Sequence, residues 1–297
     1  MHNWFLYHLL QIAKPEFERI AIGSTIKTIG LPYFKKLTFG VPTLPEQQKI
    51  AAFLSAVDAK VRQLTRKQAL LEQYKKGVMQ QLFSQELRFK RKDGTPSRGA
   101  SATKGAAYAE WEQKRLGEVC TSISYGMNAA AVEFDGVNKY LRITDIDESS
   151  REFLQTGLTS PGNELEEKYL LREGDILFAR TGASVGKSYL YKKQDGKVYF
   201  AGFLIRFHVE EGVPEFIYAQ TLTDEYDRWV KENSMRSGQP GLNAEEYKSF
   251  VIPFPTLEEQ QRIAGFLMAL DAKVAAVGKE VEAAQRWKKG LLQQMFV

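Results

Sequence analysis

The sequence predicts an α+β fold: a strand-rich domain joined to two long helices that pair as an antiparallel intramolecular coiled coil. Three observations predict it. One segment of the chain occurs twice, each copy carries a seven-residue apolar period, and short β-prone runs fill the stretch between the copies.

The repeat sets PTLPEQQKIAAFLSAVDAKV, from Pro42, against PTLEEQQRIAGFLMALDAKV, from Pro255, and the offset of 213 residues holds without a gap to Phe83 and Phe296. Roughly half of the aligned positions are identical, too long a match for a local motif. In the first copy Ile50, Val57, Leu64, Leu71 and Val78 recur every seven residues, beside Leu54, Val61, Gln68, Lys75 and Leu82. In the second, Ile263, Leu270, Val277, Ala284 and Leu291 do so, flanked by Leu267, Val274, Val281, Lys288 and Met295. Such a seam predicts coiled-coil pairing, the alternative being two separate amphipathic helices packed on globular domains. Pro45 with Glu46, and Glu258 with Glu259, suit a first helical turn. The helices are assigned to 41–84 and 255–297.

Residues 85–110 are basic and then rich in Gly, Ser, Thr and Ala, the composition of a flexible linker. From 111 to 254 the chain reads as one mixed domain. KYLRITDI (139–146), GDILFAR (174–180), SYLYKK (188–193) and AGFLIRFHV (201–209) read as strands, PEFIYAQTLTDEYDRWVKEN (214–233) as a helix, and SGQPGLN (237–243) as a loop. WFLY at 4–7 echoes EFIYA at 215–219, and YFKKLTFGVP at 33–42 echoes EYKSFVIPFP at 246–255. Residues 1–40 therefore read as the closing helix and loop of a first domain copy whose strand-rich front is absent.

Composition narrows the function classes. A net charge of +5 with a pI near 9.0 makes an acidic partner plausible. The lone cysteine, Cys120, excludes a disulfide framework and a Cys-based zinc site, and three scattered histidines do not suggest a metal centre. No apolar run reaches the roughly 18 residues of a membrane span. Residues 4–12 lack the flanks of a signal peptide, so a cytoplasmic, soluble protein is expected. GASVGKS (182–188) looks at first like a phosphate-binding loop, but three residues, not four, separate its glycines, and SYLY after it is β-prone. A nucleotide hydrolase is thereby disfavoured.

Alternating domains and helices, with P-x-L-x-E-Q-Q-x-I-A-x-F-L at each helix start, resemble the DNA-specificity (S) subunit of type I restriction–modification systems. WEQKRLGEV (111–119), GDILFARTGASVGK (174–187) and SGQPGLN carry the likeness further, over essentially the whole chain. The resemblance implies a non-catalytic subunit in which two target-recognition domains each read half of a split DNA site. Paired helices would set the spacing and dock the methyltransferase (M) subunits. S-adenosylmethionine, ATP and magnesium belong to partner chains, restriction (R) subunits join through the complex, and the subunit itself carries no cofactor. Here only 111–254 is a complete recognition domain, and 1–40 is the remnant of another. A second copy, or a second specificity chain, would supply the missing half. An inactive truncated subunit and a coiled-coil adaptor are the alternatives.

Base readout needs Arg or Lys toward guanine and Asn or Gln toward adenine. Arg180, Thr181, Ser184 and Lys187 lie on a turn after a predicted buried strand, as DNA contacts or as solvated flanks of a glycine-shaped hairpin. Arg236, Gln239 and Asn243 form a second candidate loop, Tyr125 and Asn128 a third, and Arg142 flanks a strand. Trp111 reads as a packing anchor and Cys120 as buried and inert. Gln47, Gln48, Gln260 and Gln261 appear twice in register, consistent with partner docking or with a helix–domain contact, while capping explains Glu46 and Glu259. Lys75, Lys76, Lys288 and Lys289 suit either the helix dipole or a docked partner.

Overall fold

The computed structural model describes residues 1–22, 27–36, 38–90, 108–235 and 238–296, so most of the basic linker lies outside the described residues. In chain order, α1 (Asn3–Ile20), α2 (Leu31–Phe34) and α3 (Leu44–Phe83) are followed by β1 (Glu112–Arg115), α4 (Leu116–Val119) and β2 (Cys120–Tyr125). Next come β3 (Ala131–Glu133), β4 (Lys139–Leu141), β5 (Thr159–Pro161), β6 (Asp175–Ala179), β7 (Ser188–Leu190), β8 (Val198–Phe200) and β9 (Leu204–Val209). The chain continues with α5 (Pro214–Gln220), α6 (Asp224–Asn233), α7 (Ala244–Lys248), β10 (Val251–Phe254) and α8 (Leu257–Met295). Two compact units divide it: Met1–Tyr74 with Leu270–Val297, and Lys75–Ala269.

In the first unit α1 buries Phe5 and Leu9 against Ala51 of α3. Phe5 packs on Phe296 with ring centroids 5.1 Å apart. Lys288 of α8 pairs with Asp58 of α3 at 2.6 Å, and a Cβ on Gly278 would stand 3.5 Å from the Gln68 amide. Moving from Asp58 to Gln68 along α3 moves from Lys288 back to Gly278 along α8, so the helices run antiparallel. Val57, Leu64, Val277 and Val281, all predicted seam positions, are buried.

In the second unit an antiparallel four-stranded sheet has the order β2-β9-β6-β7. Every residue of β6 is buried because both faces of this sheet are covered. Ile176 and Phe178 join a cluster with Ile205, Phe207, Phe216 and Tyr247. Leu177 and Ala179 point the other way, into a cluster with Leu141, Val198 and Phe200 that includes the parallel β4–β8 pair. The first cluster also holds Val78 and Leu82 near the end of α3 with Ile263 and Leu267 near the start of α8, again antiparallel. Phe83 packs on Phe216 at 5.5 Å, repeating the Phe296–Phe5 pair of the first unit.

Three expectations need correction. The helix expected over 214–233 is two, because the Thr223 hydroxyl accepts the Tyr226 N–H and starts α6 afresh. The strand expected over 139–146 stops at Leu141, where a 3₁₀ turn at Ile143–Asp145 replaces it. The sequence reading also lacks β1, β2, β3, β5, β8 and β10. β1 pairs with β10, joining Glu112 to Phe254 across the two ends of this stretch.

Candidate nucleic-acid interface

The strand directions decide which loops meet. β2 and β6 both run antiparallel to β9, so the ends of β2 at Tyr125 and β6 at Ala179 lie beside the start of β9 at Leu204. The loops after β2 and β6 and the turn before β9 therefore leave from one end of the sheet. The segment before α7 joins them: Leu242 N–H donates to the Arg180 carbonyl at 2.9 Å, and Gly182 N–H to the Pro240 carbonyl at 3.0 Å. Thr181 bridges Gly241 in the same short ladder. Ala244 N–H donates to the Tyr125 hydroxyl at 3.1 Å, and the Arg180 guanidinium lies over the Tyr125 ring at 4.9 Å. All three loops predicted from sequence thus meet around a cation–π pair.

The glycine motif is a shaped turn. Gly182–Ser184 is a single 3₁₀ turn, and the next element is β7 and not an α-helix, so the turn offers no helix N-terminus for a phosphate and the hydrolase alternative lacks its geometry. Gly186 has φ +86°, and a Cβ there would stand 2.6 Å from Val230 Cγ1. Two buried hydroxyls hold its backbone: Tyr226 donates to its carbonyl at 2.8 Å, and its N–H donates to Tyr247 at 3.0 Å. Tyr247 in turn donates to the Ala179 carbonyl at 2.7 Å. Lys187, a predicted DNA contact, is instead 6% exposed, donating to the Ile146 carbonyl at 3.3 Å and pairing with Glu148. Burial and pairing turn its amine away from solvent, and the same bond holds the Glu148 carboxyl below its usual range.

Arg142 is partly exposed, and its guanidinium binds Asp145 through two 2.8 Å hydrogen bonds. Asn243 is exposed, but its side chain caps α7 by accepting the Glu246 N–H at 2.9 Å. Arg236 lies outside the described residues. Arg180, Thr181 and Ser184 are half-buried, and Gln239, Asn128 and Tyr125 are exposed. The residue that sequence reasoning misses at this end is Phe203, whose carbonyl accepts the Arg180 N–H at 3.0 Å. It is hidden inside the apolar run AGFLIRFHV, and only strand register reveals it.

At the helix starts the duplicated glutamines do one job twice. Gln260 donates to the Pro255 carbonyl at 2.9 Å and accepts Val213 N–H at 2.9 Å, just before α5. Gln47 donates to the Pro42 carbonyl at 2.7 Å and accepts His2 N–H at 2.9 Å, just before α1. Both side chains are buried, so the helix–domain contact, not an open partner surface, is what the structure gives them. Gln48, Gln261 and Lys289 are exposed, and Lys75 is half-buried. Lys76 pairs with Asp224 at 2.9 Å, while Lys288 reaches both Asp58 and Gln11. Glu259 is a buried acceptor and not a cap: Arg88 binds it at 2.9 and 3.2 Å, and Trp111 Nε1 donates to it at 2.9 Å. Trp111 is thus the expected packing anchor. Cys120 is buried as expected, and burial pushes its thiol up to about 12.

The family model described as the type I restriction modification DNA specificity domain matches residues 2–73 and 108–283, well over half of the chain. The chain belongs to this specificity family. Among curated relatives, it is 25% identical to the MjaVIII type I restriction enzyme specificity subunit of Methanocaldococcus jannaschii, over 100% of this chain and 70% of that one. It is 22% identical to the EcoKI specificity subunit of Escherichia coli, over 98% of this chain but 63% of the relative. This specificity-family chain thus spans roughly two-thirds of the length of these relatives. The crystal structure of the M. genitalium type I S subunit covers 100% of this chain and 73% of its own, with TM-score 0.63 and 17% identity, a likeness of fold. No helix among the described residues is long and apolar enough to cross a membrane, and none of them form a metal-binding cluster of His, Cys, Asp and Glu.

Proposed function

We propose that this chain is the DNA-reading subunit of a type I restriction–modification assembly, recognising one half of a split site and performing no chemistry itself. One observation carries the reading: stretches 125–130, 180–184 and 238–243, far apart in sequence, share one sheet end and contain no Asp or Glu. Phosphate contacts supply most of the affinity and make it fall with salt, while Arg180 takes guanine and Gln239 adenine in the major groove. The exposed Gln48, Gln261 and Lys289 belong to the surface on which methyltransferase subunits dock. S-adenosylmethionine, ATP and magnesium are used by those subunits and by the restriction subunits that join them.

The test is co-expression with the methyltransferase subunits, purification of the complex, and mapping of methylated adenines on random DNA. The expected result is a defined motif that the methyltransferase subunits alone do not give. An assembled complex that methylates without sequence preference would remove the reading.

A further inference from the structure

At 63% exposure Phe203 is the most exposed aromatic side chain among the described residues. Its backbone, by contrast, is fixed. Leu204 N–H donates to the Ala201 carbonyl at 2.9 Å and closes the turn, and Gly202 N–H donates to the Met127 carbonyl at 2.9 Å. Gly126 N–H reaches the Leu204 carbonyl at 3.1 Å, and Arg180 N–H the Phe203 carbonyl at 3.0 Å. The ladder that pairs Ala179 with Leu204 therefore continues, setting Arg180 opposite Phe203. Arg180 carries no ion pair among the described residues, and its guanidinium rests on Tyr125. An exposed aromatic on a fixed backbone, beside an uncompensated cation, gives up little backbone freedom on binding an apolar group of an anionic partner.

From this placement we infer that Phe203 is a specificity-determining residue whose ring takes a thymine 5-methyl group, in the major groove next to the base pair that Arg180 reads. The inference rests on the reading of this face as DNA-binding. Alkyl groups on base edges are the apolar features that major-groove DNA offers, and only thymine carries one unmodified.

The experiment compares methylation maps of the wild-type and Phe203→Ala complexes. The variant is expected to keep the motif elsewhere and lose its demand for thymine at one position, where discrimination falls about tenfold. Replacing that thymine by uracil in a synthetic duplex removes the methyl alone. It is expected to slow wild-type methylation several-fold and leave Phe203→Ala unchanged. If the Phe203→Ala complex assembles but methylates nothing, Phe203→Leu, which keeps apolar bulk, is expected to restore the wild-type motif. An unchanged motif in Phe203→Ala, loosening at a G·C pair, tolerance of uracil by the wild type, or failure of Phe203→Leu would each overturn the inference. So would loss of methyltransferase copurification by Phe203→Ala, which would mark a protein contact. A wild-type complex without any motif would refute the underlying reading instead.

Discussion

Glu259 and Glu46 hold matching places in the two helix starts, yet their surroundings differ. Glu259 is 1% exposed and binds Arg88 and Trp111, whereas Glu46 is exposed. Glu259→Gln leaves a half-buried guanidinium short of its counter-charge and is expected to cost about 2 kcal/mol, while Glu46→Gln changes nothing measurable. Chemical denaturation of both variants decides this, and equal losses would contradict it. His8 offers a pH test. Burial pushes its imidazole below the ordinary value, and Lys288 adds to this while Asp58 opposes it. The unfolded chain therefore binds this proton more readily than the folded one, so stability is full above about pH 6.5 and falls as pH drops through that value. Thermal melts from pH 7.5 to 5.5 are expected to show a steeper loss for wild type than for His8→Gln. Equal slopes would contradict the assignment. The sequence does not carry these environments: the partners of Glu259 lie 148 and 171 residues away, and no local pattern marks the pairing of Lys187 with Glu148.

At the scale of elements, the long helices are legible to within three residues at each end because repetition and a seven-residue period state the same thing independently. The short strands are not. β5 is Thr-Ser-Pro and β3 lies exposed along its whole length, so neither carries the alternation that marks a strand; pairing creates them. The glycine turn was legible as a turn, but its clamp by Tyr226 and Tyr247 depends on residues brought in by α6 and α7. Gly186→Ala combines a positive φ with a clash against Val230, and is expected to cost at least about 2 kcal/mol. Gly290→Ala, in α8 with open space around the position, is expected to be neutral or to stabilise by up to about 1 kcal/mol. Melting temperatures of the two variants moving in the same direction would contradict this contrast.

For the whole molecule, the sequence carried the fold class, the helix pairing and the three loops that meet, because each leaves a mark on local composition. It left open what the paired glutamines do: they bind the turns before α3 and α8 and reach the residues just before α1 and α5. Nor did it distinguish Arg180, resting on Tyr125, from Arg142, closed onto Asp145, since both are arginines at strand ends. The central claim is that the face around Tyr125 and Arg180 reads bases. The most direct measurement is the methylation map of the assembled complex carrying Arg180→Ala and Gln239→Ala together. The account predicts that the complex still assembles and methylates, with its motif degenerate at one guanine and one adenine of a half-site. A motif identical to the wild type's, at equal methylation, would contradict it.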